Sequence, residues 1–198
     1  ALPIYFSQRG IAQPWGDPNQ DRSRDTDSAG LEYRGTFADA LTLAASVRHD
    51  DNSEFDGAST WRVEGVYDIA ATGTRLRAAW GTAVKNPTFS ERFGYYTNFQ
   101  GNADLQPEES ESVEFGVEQS AWDERLVGSV TVFHADLTNE IDGFVFDPVT
   151  FNFTAANKDG KSKRDGVEVA VRAVLLPTVS LAGSYTYTDA TAPDPAGG

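Results

Sequence analysis

Strict two-residue alternation of apolar and polar side chains is the feature that most restricts how this chain can fold. It is clearest in the stretch SVEFGVE at 112–118, where Val113, Phe115 and Val117 alternate with polar or small residues. Successive side chains of a β-strand point to opposite faces of a sheet, so this stretch predicts a strand with one apolar face and one polar face. Similar alternation recurs through most of residues 29–190, and no segment of any length favours a helix. The sequence therefore predicts an all-β protein, which is either a soluble sheet with one hydrated face or a membrane barrel.

The lengths of the connections between the predicted strands separate these two architectures. Short and long connections alternate along the chain. Outer-membrane barrels sort their connections in this way, with short periplasmic turns and long external loops, whereas Greek-key sandwiches have no reason to do so. The pattern favours an antiparallel up-and-down meander of about eight strands, with an external loop at 1–28, strands and loops at 29–190, and a loop or tail at 191–198. Short turns are predicted near 38–40, 70–74, 119–124 and 174–177, and longer connections near 50–58, near 84–110 and from 190 onward.

A turn at 147–150 is predicted to join two unusually long strands, 125–146 and 151–173. At about 3.3 Å per residue each strand would span on the order of 60 Å, whereas the apolar band of an outer-membrane barrel is roughly 25 Å tall. In a barrel, these two strands are expected to project well above the membrane.

Composition excludes several classes of function. The chain has no Cys, which removes disulfides, thiolate metal sites and Cys nucleophiles. Its net charge of −14 argues against nucleic acid as a partner. No apolar run approaches the roughly 20 residues of a transmembrane helix, so a membrane location would require closed β-structure, in which backbone groups pair between strands.

Four stretches of the chain form a set of motifs. The most specific one, at 101–118, is an Asn-x-x-Leu-x-Pro-Glu turn that leads into Ser-x-x-x-Glu-x-Gly-x-Glu. The other three are LRAAWGTAVKNPTFSERF at 76–93, FTAANKDGKSKRDGVE at 153–168 and VSLAGSYTYTD at 179–189. In their order along the chain, the four stretches resemble segments late in the barrel of TonB-dependent outer-membrane receptors, the vitamin B12 and siderophore transporters.

This resemblance implies a fold, a location and a set of partners. It implies the C-terminal part of a transmembrane β-barrel of about 22 strands in the outer membrane of a Gram-negative bacterium, and a transporter of a metal chelate (siderophore) or cobalamin-like nutrient, not an enzyme. The implied partners are outer-membrane lipid, the small nutrient, the receptor's own plug domain inside the barrel, and TonB, which acts through the plug. No plug sequence is present in these 198 residues.

The two faces of the strands are then expected to meet different surroundings. An Arg or Lys that faces lipid at the bilayer midplane costs about 2–4 kcal/mol, so charged residues on the polar faces should face the lumen and contact one another or the plug. The opposite side chains should face lipid, and five of them are named here as the apolar-face set: Leu43, Val63, Phe115, Val169 and Leu181.

The predicted ligand-binding residues lie in the irregular segment 85–106. Binding residues concentrate on loops that a rigid scaffold holds in place. Tyr95, Tyr96 and Phe99 offer flat apolar area with two phenol donors, and Lys85 and Arg92 offer positive charge for an anionic chelate. The alternative is that Arg92 only packs the barrel rim, because the resemblance implies that its motif is shared by receptors with different ligands.

An acidic segment, DDNSEFDG at 50–57, is a candidate calcium site. Asp50, Asn52, Glu54 and Asp56 supply the hard oxygen ligands that Ca²⁺ prefers, although their spacing is not that of an EF-hand. An ordinary acidic surface loop fits the same residues, and the sequence indicates no other cofactor.

Two other functions remain open from the sequence alone. One is a soluble carbohydrate-binding β-sandwich, in which the strand aromatics would form the core. The other is an outer-membrane barrel enzyme, which would need a Ser, a His and an acid in contact. Neither of the two His residues, His49 and His134, has an evident Ser and acid partner in the sequence.

Overall fold

A computed structural model describes residues 4–10, 22–96 and 98–193, which form strands, turns and one short helix. Within these ranges, no helix has the length and apolar character needed to cross a membrane. The elements are β1 (Ile4–Gly10), β2 (Arg22–Phe37), β3 (Leu41–Asn52), β4 (Ala58–Ile69), β5 (Thr74–Lys85), α1 (Phe89–Phe93), β6 (Tyr95–Tyr96), β7 (Phe99–Gln100), β8 (Glu108–Ala121), β9 (Leu126–Thr138), β10 (Ile141–Asp147), β11 (Asn152–Asn157), β12 (Lys161–Leu176) and β13 (Val179–Thr191).

Nine strands form one continuous sheet. Its order is β1-β2-β3-β4-β5-β8-β9-β12-β13, and every neighbouring pair is antiparallel. The predicted all-β meander is confirmed, and the structure has one more strand in this sheet than the eight expected. The alternative of a two-sheet sandwich with Greek-key crossovers is wrong, because neighbours in the sheet follow the order of the chain.

The additional strand comes from the segment predicted to be an external loop, 1–28. That prediction is wrong for the described residues, since β1 pairs with the start of β2 from Ile4 opposite Ser28 to Gly10 opposite Arg22. The charged residues of 22–27 indicate contact with water, and a strand that projects into water meets this requirement as well as a loop does. Residues 11–21 lie outside the described residues, as do 194–198 of the predicted tail, and 191 is the last residue of β13.

All the short turns lie at one end of the sheet, as predicted. The turn after β2 places Ala38 and Asp39 at φ 49° and 53°, and the turn after β8 has three successive residues in the same left-handed region, beginning with Trp122 at 53°. Left-handed turns match the twist of paired strands. Gly73 is at φ 67°, and a Cβ there would lie 2.9 Å from the Ser120 carbonyl oxygen, so this turn requires Gly.

The sheet has one apolar and one polar face. Residues directly opposite each other in antiparallel strands share a face. The row Leu43, Gly65, Ala78, Phe115, Val132, Val167 and Tyr187 crosses six strand pairs in this way. Continuing the register places all five members of the apolar-face set on this face, where each is 40–60% exposed in the chain by itself.

The predicted pair of very long strands is wrong. Each predicted strand is interrupted at one residue in the left-handed region. Asn139, at φ 55°, follows the end of β9, and Gly160, at φ 96°, precedes the start of β12. Between these breaks β10 and β11 form a hairpin that leaves the main sheet and joins β7 and β6 in a second sheet, of order β10-β11-β7-β6. The predicted turn at 147–150 lies at the tip of this hairpin.

Burial is concentrated in the loops at the long-connection end. Among the described residues, the buried hydrophobic side chains include Ala79 on the main sheet, Leu105 in the loop before β8 and Ala155 in β11, and Pro87 is also fully buried. The nine-stranded sheet therefore has no packed core on either face, which is the state expected for one wall of a barrel.

Candidate functional site

The segment 86–107 is an ordered structure with its own helix. Thr88 caps α1: its Oγ1 accepts from the Glu91 amide at 3.2 Å, and Glu91 Oε2 accepts from the Thr88 amide at 2.7 Å. This reciprocal capping box satisfies amides that a five-residue helix would otherwise leave free. The segment then folds back, since the Gly101 amide donates to the Gly94 carbonyl at 2.7 Å.

Side chains of β2 and of the loop after β3 contact side chains of α1 and hold this helix against the barrel end. The six residues are named here as the rim cluster: Arg24, Glu54, Phe55, Phe89, Arg92 and Phe93. Arg92 is its centre. Its guanidinium pairs with Glu54 at 2.7 Å, donates to the Ala103 carbonyl at 3.0 and 3.2 Å, and lies 4.8 Å from the ring centroids of both Phe55 and Phe93. The Arg92 side chain is only 13% exposed.

A second guanidinium of the rim cluster is also buried. Arg24 donates to the Pro87 carbonyl at 2.8 Å and lies between the rings of Phe55 and Phe89, at 5.6 and 5.4 Å from their centroids. Burial lowers the pKa of Arg24, and the nearby Glu54 carboxylate acts in the opposite direction. Arg24 was not among the predicted site residues, because it lies in the segment predicted to be an external loop, 1–28.

Among the predicted ligand-binding residues whose side chains the structure describes, Lys85, Arg92, Tyr95 and Phe99 lie in different surroundings. Lys85 ends β5 and pairs with Glu108 at 2.5 Å, and Arg92 is held by the rim cluster as described above. Tyr95 is exposed, the backbone of Tyr96 is in β6, and the Phe99 ring packs parallel to the ring of Phe144. The contacts of Arg92 are those of the packing role given above as the alternative, and ligand binding by Lys85, Arg92, Tyr95, Tyr96 and Phe99 stays a prediction.

Three of the four candidate calcium ligands, Asp50, Asn52 and Glu54, contact different protein partners. Asp50 pairs with Arg48 at 2.7 Å, Asn52 Oδ1 accepts from the amides of Glu54 and Phe55, and Glu54 pairs with Arg92. In the described part of the chain, no group of three or more His, Asp or Glu side chains is arranged to hold a metal ion. The structure thus does not bring the predicted ligands together.

The second sheet is tied to the 86–107 segment by amide side chains. Asn102 donates to the Ala155 carbonyl at 3.0 Å, and Asn157 accepts from the Gln106 amide at 2.8 Å and donates to the Gln106 carbonyl at 3.0 Å. One face of this sheet carries the phenylalanine face, defined as Phe99, Phe144, Phe146 and Phe153. The sequence signal was present as FVFDPVTFNF at 144–153, but its regular alternation was interpreted as strands of the barrel.

The polar face of the main sheet carries the charge ladder, defined as Arg62, Glu64, Arg75, Arg77, Glu114 and Glu118. Arg62 pairs with Glu114 at 2.9 Å across strands, and Arg75 pairs with Asp68 at 2.6 Å. A hollow of about 430 Å³ on this face is lined by Arg62, Arg77 and Glu168, among others. Because Arg62, Glu64 and Arg77 remain about half exposed, they can pair with other members of the ladder and still contact another surface.

A larger cleft, of about 740 Å³, opens beside the rim cluster. The strand residues that line it include Trp61, Glu111 and Asp136, which share the apolar face of the sheet by register. Ala83 and Ser110, which lie opposite each other on the polar face, also line the cleft, so it opens at the long-connection end of the sheet and is not confined to one face.

Comparison with known proteins identifies the family. Residues 3–198 match the model of the TonB dependent receptor-like beta-barrel family. The chain belongs to this family. Receptors of the family lie in the outer membrane of Gram-negative bacteria and are transporters, so the apolar face is the lipid-facing side of a barrel wall and the polar face is the luminal side.

Solved structures of two receptors and a transporter share the fold at low sequence identity. The siderophore receptor PirA of Pseudomonas aeruginosa is 20% identical with a TM-score of 0.75, over 91% of this chain and 34% of PirA. A mutant of the ferric enterobactin receptor PfeA of P. aeruginosa is 18% identical with a TM-score of 0.73, over 94% of this chain and 32% of PfeA. The copper transporter OprC is 15% identical with a TM-score of 0.69, over 86% of this chain and 30% of OprC. The chain thus spans about a third of the length of these proteins.

The two His residues each have part of a catalytic set, which the sequence did not reveal. His49 Nδ1 lies 2.9 Å from Ser59 Oγ, and His134 Nδ1 lies 2.7 Å from an Asp165 oxygen. The two pairs lie on different strands, and the family consists of transporters. The enzyme alternative is therefore not supported.

Proposed function

We propose that the receptor containing this chain takes up a metal chelate of the siderophore type or a cobalamin-like nutrient across the outer membrane. Membership of the TonB-dependent receptor family carries the proposal. The likeness to PirA and PfeA, named as a siderophore receptor and a ferric enterobactin receptor, favours a metal chelate. OprC is named as a copper transporter, so the shared fold is compatible with more than one cargo.

The charge ladder supports a plug domain as the partner on the luminal side. Ion pairs such as Arg62 with Glu114 would be too costly against lipid, and half-exposed charges on a curved wall suit a polar protein surface. In the proposed receptor, TonB moves this plug and thereby admits the nutrient. The ladder holds the plug through exchangeable ion pairs, each of which contributes little by itself.

The external segment 86–107 supports nutrient capture at the opposite end. The rim cluster fixes α1. In the chain after α1, Tyr95 is exposed to solvent and Phe99 lies within the second sheet with its ring parallel to that of Phe144. In the proposal Tyr95, Tyr96 and Phe99 contact the nutrient, while Arg92 holds the segment in place. Lys85 is 61% exposed and could exchange Glu108 for an anionic ligand.

Uptake by intact cells tests the proposal. A strain that lacks the full-length receptor should lose accumulation of either iron-55 supplied as ferric siderophores or cobalt-57 supplied as cyanocobalamin, and the cloned receptor should restore it. A protonophore or loss of TonB should abolish this uptake while surface binding continues. Uptake that is unchanged without the receptor for every chelate and for cobalamin contradicts the proposal.

Replacement of Tyr95, Tyr96 and Phe99 together by Ala tests the capture residues. We expect binding of the transported nutrient on cells to weaken by about tenfold or more, which is about 1.4 kcal/mol. Tyr33→Ala is the matched control, because it removes an exposed phenol from the lipid-facing side. Affinity of the triple variant within about threefold of the parent, under roughly 0.7 kcal/mol, would show that these side chains are not the capture surface.

A further inference from the structure

The phenylalanine face results from strand pairing in the second sheet. Phe146 lies opposite Phe153 between β10 and β11, and Phe153 lies opposite Phe99 between β11 and β7. Paired residues share a face, so three strands contribute one ring each to the same side. The rings contact in an ordered way, with Phe146 edge-on to Phe153 at a centroid distance of 5.7 Å.

The fourth ring comes from alternation within β10. Phe144 stands two residues before Phe146, so both side chains point to the same side of the sheet. The register shift between Asp142 and Val145, where β10 has one more residue than β11, comes just before Val145 and Phe146 pair with β11. Phe144 stacks on Phe153 at 4.0 Å and 11°, and its ring is parallel to that of Phe99 within 2° at 6.3 Å.

These rings contribute little to a hydrophobic core. Phe144 is 63% exposed and Phe146 is 51% exposed, although Ala155 and Leu105 beside the same sheet are buried. Backbone pairing and the Asn102 and Asn157 side chains already hold the sheet in place. Large apolar side chains that are exposed in this chain next to an ordered scaffold form a candidate binding surface.

The charges nearby restrict what this surface can bind. The hairpin from 141 to 157 contains no Lys, Arg or His, and its carboxylates Asp142 and Asp147 accept hydrogen bonds from backbone amides of the hairpin itself. An anionic group would find no cation on the hairpin. Parallel aromatic rings instead offer stacking, which adds to the gain from burying apolar area.

We propose that the phenylalanine face binds a planar, uncharged aromatic ring of the transported nutrient, so that the cargo is an aryl-bearing chelate. The inference rests on the proposed function, because it assigns a ligand class to the same external end of the receptor. Phe144 and Phe146 supply the stacking surface, and Phe153 sets the angle between them.

Two iron chelates that differ only in this feature provide the test. Ferric tris(benzohydroxamate) and ferric tris(acetohydroxamate) have the same metal and donor atoms and are both uncharged, but one carries phenyl groups and the other methyl groups. Dissociation constants for both are measured with iron-55 on outer-membrane vesicles that contain the full-length receptor, with vesicles lacking it as the blank. We expect the phenyl chelate to bind about tenfold more tightly or better.

Variants locate the selectivity. Phe144→Leu and, separately, Phe146→Leu should reduce the ratio of the two constants to below about threefold. Phe144→Tyr keeps the ring and should keep the ratio. Val149→Ala is the matched control, since Val149 is an exposed apolar residue at the tip of the same hairpin. Heat-modifiable migration of each variant in gels verifies that the barrel is folded.

Equal affinity for both chelates, binding of neither, or a ratio that both Leu variants leave unchanged would overturn the inference. The outcome is separable from that of the proposed function. Ring-selective binding without energised uptake of any chelate contradicts the proposed transport function but supports the aromatic binding surface. Energised uptake without ring selectivity supports the transport function but contradicts the aromatic binding surface.

Discussion

Loss of the Arg92 guanidinium should loosen the whole external segment 86–107. In Arg92→Ala the Glu54 carboxylate, whose side chain is 21% exposed, loses an ion pair of 2.7 Å, and the Ala103 carbonyl loses two donors. Exposed ion pairs contribute about 0–1 kcal/mol, and breaking a fully buried pair costs about 3–5 kcal/mol. Since this pair is mostly buried, we expect a cost of about 2–3 kcal/mol for local opening.

Native-state hydrogen exchange of the full-length receptor measures this cost. The amides of Gly94, Gly101 and Asn102 donate to backbone carbonyls within the segment, so they exchange only when it opens. Their exchange should become about 30- to 150-fold faster in Arg92→Ala, because every 1.4 kcal/mol is about a factor of ten. Peptides from β3 and β4 should be unaffected.

Lys85→Ala is the control for this experiment. Lys85 also makes an ion pair at the start of the segment, but its side chain is 61% exposed. We expect less than about 1 kcal/mol and therefore less than about a fivefold change. If Arg92→Ala changes the exchange no more than Lys85→Ala does, the rim cluster does not hold the segment, and the reasoning from burial is refuted.

Three further predictions concern the hairpin base and the barrel wall. Hydrogen bonds from Ser162 and then Lys158 lower the pKa of Glu140 from its usual value of 4.5. The stabilisation is therefore present above that pH and is lost as the pH falls through the lower pKa of the folded state. Amide exchange of Lys158, whose backbone N–H donates to the Glu140 carbonyl, should accelerate below about pH 4.5 in the parent but not in Glu140→Gln. Spin labels at the apolar-face set should report a hydrocarbon environment, and water-like mobility at most of these positions would contradict the assignment of the faces. Gly166→Ala should lower the free energy of unfolding by about 1–3 kcal/mol in chemical unfolding, because its Cβ would lie 2.2 Å from the Phe133 ring and 2.6 Å from the Tyr187 carbonyl oxygen. Gly183→Ala is the control and should be neutral, because a Cβ there would have nothing within 4 Å. Equal effects of the two variants would rule out the packing argument.

The barrel wall could be predicted from the sequence because alternation and register carry the same information. Once Val113, Phe115 and Val117 were assigned to one side, pairing fixed the facing of every neighbouring strand. Strand β9, which carries apolar residues on both sides, also follows this logic. Val130 and Val132 belong to the apolar face, and Phe133 lies on the polar face because Gly166 opposite leaves room for its ring.

The external end could not be predicted in the same way. A strand that projects into water needs no apolar face, so the polar residues 22–28 gave no strand signal. The breaks at Asn139 and Gly160 depend on single left-handed residues within otherwise regular alternation. The role of Arg92 depends on Glu54 and Phe55, which are distant in sequence and become neighbours only when the loops pack.

The hairpin of β10 and β11 leaves the barrel wall and returns to it at the same place. The β9–β12 ladder extends to Thr138 opposite Lys161, and everything between these two residues is an excursion whose length does not enter the register of the wall. An insertion within a wall strand would exchange its luminal and lipid-facing side chains. An insertion or replacement within 140–160 would not. This segment can therefore change in length and sequence during evolution while the membrane-embedded part stays unchanged.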